Sequence, residues 1–477
     1  MNKCRVVLLT SILLLLHGCL VGPNYHRPSV PVPTEYKELA GWTVAAPAAE
    51  APKGDWWTVF SDPLLNSLEP MVSVSNQTVR QDYANYQEAL AEVQIARSAL
   101  FPTAAVTGSA TKQHAATANF GSARTTTAGS LEGNVSWAPD LWGAVRRAVE
   151  ESKATAQASA ATLANATLSE QTALATAVVD LRVTDANIDL LQKTVAAFTE
   201  SLRVVANQGE AGTTPPSDVI AARTQLENTQ ASLIALGIAR AQFAHAIAVL
   251  VGKNPEDLDI PHSTALPELP TVPAGVPSEL LQRRPDIAVA ERQMAAQNAA
   301  IGVAVAAYYP SLSLSAAAGF SASPLTGLLH AANHVWSLGA AASETVFDGG
   351  ERHGEVSAAK AAYEATVANY RGTVLKAFQN VEDDLSGLRI LAQQGDVLDS
   401  ALRDATRGAE IALNEYQAGT VDYTTVATAQ ATQLSTEQSV LNVRQQRLLD
   451  AVSLIGDLGG GWSTSASDGA EKTSAQH

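Results

Sequence analysis

The chain has 477 residues, a net charge of −16 and only 5% aromatic residues. The negative charge argues against a nucleic-acid partner, because no basic face would neutralise phosphates. Both cysteines lie among the first twenty residues, which excludes a disulfide or a cysteine-based metal site further along the chain.

The N-terminus is typical of an export signal. Lys3 and Arg5 form a basic region, and an apolar run over 6–16 follows that is too short to span a membrane. Residues 16–19 resemble a bacterial lipoprotein cleavage box, which predicts that Cys19 is the acylated first residue of the mature chain. A plain signal peptide with an incidental cysteine is the alternative. We predict no cofactor beyond this covalent lipid, which would anchor the chain stably.

The rest of the chain carries one pattern twice. Gly212 and Gly419 each follow a long helical pattern and lie 207 residues apart, and Pro102 and Pro310 lie 208 apart. Solenoid repeats are much shorter, roughly 20–50 residues, so this period indicates a duplicated structural unit. Each copy is predicted as helix, strand, loop, strand, very long helix, turn and long helix.

These features divide the chain into six segments. Prolines mark two stretches without regular structure, one after the signal and one between the repeats. The predicted segments are a signal peptide (1–18), an extended N-terminal arm (19–54), a first repeat (55–253), a Pro-rich linker (254–277), a second repeat (278–462) and a disordered tail (463–477).

Two strands are predicted in each repeat. Leu131 and Val135 alternate with Glu132 and Asn134, a period of two that gives one apolar and one polar face. The helices show heptad spacing instead, and no run of about 18 apolar residues predicts a transmembrane helix. The four strands are predicted near 103–114, 129–139, 311–321 and 335–346.

Four amphipathic strands in an exported lipoprotein indicate an outer-membrane barrel that several chains complete. Every backbone polar group must be paired in a bilayer, so a four-stranded sheet with open edges is excluded. Two copies would give eight strands and three would give twelve. An eight-stranded barrel is filled by side chains, whereas a polar inner face suits a wider lumen, so we favour the trimer.

Several motifs resemble the outer membrane factors of tripartite efflux systems, the TolC-like and NodT-type lipoproteins. They occur in the same order as in that family and cover nearly all of 16–462. The motifs are Val21–Pro28, Asp55–Leu65, Pro277–Ile287, Phe347–Gly350 and Leu458–Trp462.

This resemblance implies a mainly α protein with a β-barrel, in which a trimeric 12-stranded β-barrel is continued by a periplasmic α-helical barrel. The implied function is a passive exit duct of a tripartite efflux pump. The implied partners are a periplasmic adaptor protein, an inner-membrane efflux pump and outer-membrane lipid. The chain would sit in the outer membrane, lipid-anchored, with a large periplasmic extension.

The resemblance also implies a closed periplasmic tip at the turns around Gly212 and Gly419. A TolC-like gate uses an Asp, a Tyr and an Arg, and Asp218 and Tyr416 match the first two. Val421 stands where the Arg would be, so no salt bridge is expected there.

We therefore expect closure through a hydrogen bond between Asp218 and Tyr416 and packing near Val421 and Tyr423. The simpler interpretation is that both glycines only permit left-handed turns. Asp218 would then be a solvated residue at a helix N-terminus.

The motif of Arg283, Arg284, Pro285 and Asp286 is predicted to be structural. Proline suits the first turn of a helix, and an aspartate suits its positive end.

Catalysis has little support, because no nucleophile–base constellation is evident in the sequence. The alternatives to efflux are a type I secretion channel and a coiled-coil scaffold lipoprotein.

Overall fold

The computed structural model describes residues 20–33, 36–38, 55–115, 124–270 and 283–460. The predicted signal peptide, Cys19 and the tail 463–477 lie outside the described residues, and the arm and the linker are described only in part. The described residues fall into two compact units. One contains 85–159 and 289–370 with the start of the arm, and the other contains most of the helical residues.

The duplication is confirmed by elements of equal length. The first repeat contributes α1 (Pro63–Ser75), α2 (Gln77–Ser98), β1 (Thr103–Ala115), β2 (Arg124–Trp137), α3 (Ala144–Glu210) and α4 (Pro216–Leu250). The second contributes α5 (Pro285–Ala306), β3 (Ser311–Ala322), β4 (His334–Ser343), α6 (Glu351–Gln417) and α7 (Tyr423–Asp457). Helices α3 and α6 both have 67 residues, and α4 and α7 both have 35. Short 3-10 helices cover Trp56–Phe60, Pro255–Asp257 and Ala331–Asn333.

The four strands form one antiparallel sheet in the order β1-β2-β3-β4. Leu131 of β2 pairs with Gly108 of β1 and Phe320 of β3, and the next residue, Glu132, pairs with Thr107 and Gly319. Side chains alternate between the faces, so this register carries the apolar and the polar face across all four strands. Large apolar side chains are exposed on the apolar face, namely Val106, Leu131, Val135, Trp336 and Leu338. Strands β1 and β4 are the edges of this sheet.

The start of the arm is held by a buried arginine in the unit that contains the sheet. The Arg147 guanidinium donates to the backbone carbonyls of Val21 (3.1 Å) and Gly22 (3.2 Å) and to Asn24 Oδ1 (2.9 Å). It also forms an ion pair with Glu150 at 2.7 Å. The segment next to Cys19 is therefore tied to the first turn of α3.

Helix α4 differs from the sequence expectation. It is long and apolar enough to cross a membrane, with a mean hydropathy of 1.7 over 18 residues, although the sequence suggested no such segment. Polar residues interrupt the apolar run, so the helix has a high mean hydropathy without an uninterrupted apolar stretch. One such helix is weak evidence for a span, and part of α4 packs in the helical unit through Ala222, Leu226 and Ile247.

Helix α1 buries a carboxyl group without a partner. Glu69 is 0% exposed, and neither carboxylate oxygen has a hydrogen-bond partner. Burial raises the pKa of Glu69 from 4.5 to about 9, because the charged form loses its hydration.

Glu69→Gln is expected to flatten the pH dependence of stability. Since the folded-state pKa is the higher one, the native state binds the proton more tightly, and stability falls as pH rises from about 4.5 to about 9. At pH 7 the ionisable group costs about 3 kcal/mol relative to a neutral one. Thermal melting of wild type and variant from pH 5 to pH 9 checks this.

Glu200→Gln is the matched control. The hydrogen bond from Arg203 lowers the pKa of this exposed carboxyl below 4.5, so it stays ionised in both states above pH 5, and Glu200→Gln should leave the pH dependence from pH 5 to pH 9 unchanged. If the melting temperatures of wild type and Glu69→Gln change with pH in the same way, Glu69 is not held protonated.

Candidate functional site

The predicted tip consists of two equivalent turns. Gly212 and Gly419 adopt left-handed conformations with φ of 72° and 75°. The Gly212 N–H donates to the Gly209 carbonyl and the next N–H donates to Gln208, which is the Schellman arrangement that ends helices. The second turn repeats both bonds after α6. The glycines therefore have the structural role that the sequence suggests, whether or not they also form a tip.

The helix pairs α3–α4 and α6–α7 meet in an apolar cluster beside these turns. Tyr416 and Tyr423 pack edge to face, with ring centroids 5.5 Å apart. Val421 packs against the cluster, so this position contributes packing and no charge. The buried members come from all four long helices and are Val205, Ala222, Ala412, Tyr416, Tyr423 and Val426. Burial raises the pKa of Tyr423, which is consistent with a dry contact.

The hydrogen bonds differ from the expected direct bond between Asp218 and Tyr416. The Tyr416 hydroxyl donates to Gln208 Oε1 at 2.7 Å. The buried Asp218 accepts from Thr214 Oγ1 at 3.0 Å, and Thr214 Oγ1 lies 3.5 Å from the Tyr416 hydroxyl. Both hydroxyl protons are already donated, so the 3.5 Å approach is a contact without a hydrogen bond, and Asp218 makes no recorded bond to Tyr416 among the described residues.

Gln208 and Thr214 are the participants that sequence reasoning missed. Both lie within four residues of Gly212 and carry hydrogen-bonding groups, but neither follows the repeat pattern. Their closeness to the turn was the available signal. Tyr416 reaches across to the first helix pair, whereas Asp218 and Thr214 both belong to that pair.

Arg284 fastens the end of the second repeat to its beginning. Its Nη1 donates to the backbone carbonyl (2.8 Å) and to Oδ1 (2.7 Å) of Asp457, at the end of α7. Its Nε and Nη2 bind both carboxylate oxygens of Asp286, at 3.0 and 2.8 Å. A Cβ at Gly459 would lie 2.8 Å from the carbonyl oxygen of Arg283. This geometry supports the structural interpretation of the motif, with Pro285 as the first residue of α5.

Each repeat contributes a pair of long helices and two strands of one two-faced sheet, and this combination defines the class of TolC-like outer-membrane channels. The profile of the outer membrane efflux protein family matches residues 71–253 and 276–460, one match in each repeat. The chain therefore belongs to the outer membrane efflux protein family.

Relatives and solved structures agree with this assignment. The toluene efflux pump outer membrane protein TtgC of Pseudomonas putida is 32% identical over 94% of each chain. The cation efflux system protein CusC of Escherichia coli is 27% identical over 97% of this chain and 100% of its own. The open-state crystal structure of the Neisseria gonorrhoeae MtrE outer membrane channel has a TM-score of 0.83 at 25% identity. It covers 93% of this chain and 98% of that one. The protein is an outer-membrane efflux channel and not an enzyme.

Proposed function

We propose that three copies of this chain form one 12-stranded barrel, which serves as the passive exit duct of a tripartite pump. The observation that supports this most is the four-stranded sheet with one continuous apolar face and two open edges. Lipid would contact the apolar face, and the edges need strands from other copies. Three copies provide a lumen wide enough for water.

The exposed face of α4 supports contacts between copies in the helical part. Ile234 and Ile238 are 76% and 65% exposed, and Ile220 is exposed on the same helix. Exposed apolar side chains along one helix favour burial against a protein partner. A second copy fits this role, because the barrel already requires neighbouring copies.

A lipid on Cys19 would complete the attachment to the outer membrane. The Arg147 contacts tie residues 21–24 to the unit that carries the sheet, so an acyl chain two residues earlier would start close to that unit. The proposed partners are a periplasmic adaptor and an inner-membrane pump. The pump selects the exported compounds, and this chain conducts them.

Light scattering and planar-bilayer recordings of the purified protein test this proposal together. We expect the mass of a trimer and discrete ion-conducting steps. Cys19→Ser should keep the conductance while losing membrane attachment through the lipid, which separates the anchor from the duct. A dimeric mass, or a trimer that does not conduct even with the Tyr416→Ala substitution at the tip, would contradict the proposed duct.

A further inference from the structure

The polar face of the sheet carries an isolated carboxylate. Glu132 lies in the interior of β2, between Thr107 of β1 and Gly319 of β3. The other ionisable side chains described on the strands lie on the apolar face, at Lys112, His114 and His334.

The neighbours of Glu132 provide space and no counter-charge. A Cβ at Gly319 would lie 2.6 Å from Glu132 Cα and 3.0 Å from its Cγ. The Glu132 side chain therefore passes over a residue that has no side chain. The bond from Thr107 Oγ1 goes to the backbone carbonyl of Glu132. The Asn134 amide donates to Thr107 at 2.9 Å. Among the described residues, the carboxylate itself has no recorded hydrogen bond or ion pair.

The next charged residue on this face of β2 is eight residues away along the strand. Arg124 lies eight residues before Glu132 on the same strand, and so about 27 Å away at 3.4 Å per residue. The Debye length is about 8 Å at physiological ionic strength. The interior of the polar face is therefore negative.

We propose that Glu132 makes the barrel lumen favour cations over anions, through a ring of three carboxylates. This inference rests on the trimeric barrel proposed above. Twelve strands about 4.8 Å apart and tilted by about 40° enclose a backbone radius of about 12 Å. A glutamate reaching about 5 Å inward places its carboxylate about 7 Å from the axis, which is within one Debye length of about 8 Å.

The ring therefore acts on ions along the whole cross-section of the lumen. Three screened charges at this distance enrich a monovalent cation on the axis about threefold and deplete an anion about threefold. Cationic compounds delivered by the pump would be concentrated at this level, and anionic ones would be depleted.

A reporter cysteine at Ser130 measures the local potential, whether or not the periplasmic tip conducts. Ser130 lies two residues from Glu132 on the same face and contacts Ser109 Oγ at 2.9 Å. The channel in lipid vesicles is treated with two methanethiosulfonates that carry either a trimethylammonium or a sulfonate group. The chain's own cysteines lie in the first twenty residues, so the modified peptide identifies the site.

The ratio of cationic to anionic labelling rates at Ser130→Cys is expected to fall about fivefold when Glu132→Gln is added. Glu132→Lys should reverse the preference. Lys112→Gln removes a charge from the opposite face and should leave the ratio unchanged. An equal ratio with and without Glu132 overturns the proposal.

A cysteine at Val135, on the apolar face, separates this inference from the duct itself. Lipid should protect Val135→Cys from both reagents, while Ser130→Cys reacts. If Ser130→Cys does not react, whether or not Val135→Cys does, the water-filled barrel is wrong and the inference fails with it.

Discussion

Tyr416→Ala is expected to raise the open probability of the channel more than a hundredfold in planar bilayers. The substitution removes a buried ring from the cluster that joins the two helix pairs, and the hydroxyl that donates to Gln208. Losing a buried aromatic side chain costs about 3–5 kcal/mol. If this contact holds the tip closed, that cost falls on the closed state.

A milder variant and its matched control separate the contribution of the Tyr416 hydroxyl from that of its ring. Tyr416→Phe keeps the ring and loses one hydrogen bond of about 1 kcal/mol, so a roughly fivefold rise is expected. Tyr83→Phe makes the same deletion at an exposed tyrosine of α2 and should change nothing. Asp218→Ala should act more weakly than Tyr416→Ala, because Asp218 accepts from Thr214 within its own helix pair and makes no hydrogen bond to Tyr416. If Tyr416→Ala has the same open probability as wild type, this cluster does not hold the tip closed.

Arg284→Met is expected to destabilise the folded chain by about 3 kcal/mol. The guanidinium is buried and holds two carboxylates, and removing one partner of a buried ion pair leaves the other charge uncompensated. The loss should appear as a lower midpoint in thermal unfolding followed by the helical circular dichroism signal. Conductance of the folded fraction should be unchanged, because the motif holds α5 and α7 and lines no predicted gate.

Arg284→Lys tests the geometry rather than the charge. Lysine cannot form the forked contact with Asp286 and the bonds to Asp457 together, so an intermediate loss is expected. Arg203→Met, which removes an exposed partner of Glu200, is the matched control and should have little effect. If Arg284→Met melts like wild type, the motif does not fasten the repeat.

The fold was largely predictable because its signals are local. The alternation around Leu131 and Glu132 predicts a strand with two faces, and heptad spacing predicts long packed helices. Neither pattern depends on residues that are distant in the sequence. The candidate gate was predicted less completely. Tyr416 was predicted to take part, but its acceptor, Gln208, lies 208 residues earlier, and this contact depends on how two helices are rotated against each other.

The sequence by itself determined the duplication, the faces of the strands and the glycine turns at Gly212 and Gly419. These follow from side-chain periodicity and backbone preferences, which act over a few residues. Only the tertiary structure decided that Arg284 meets Asp457 and that Glu132 lies over Gly319. Such contacts join residues more than 170 apart, so they are set by helix rotation and strand register, which are properties of the packed chain.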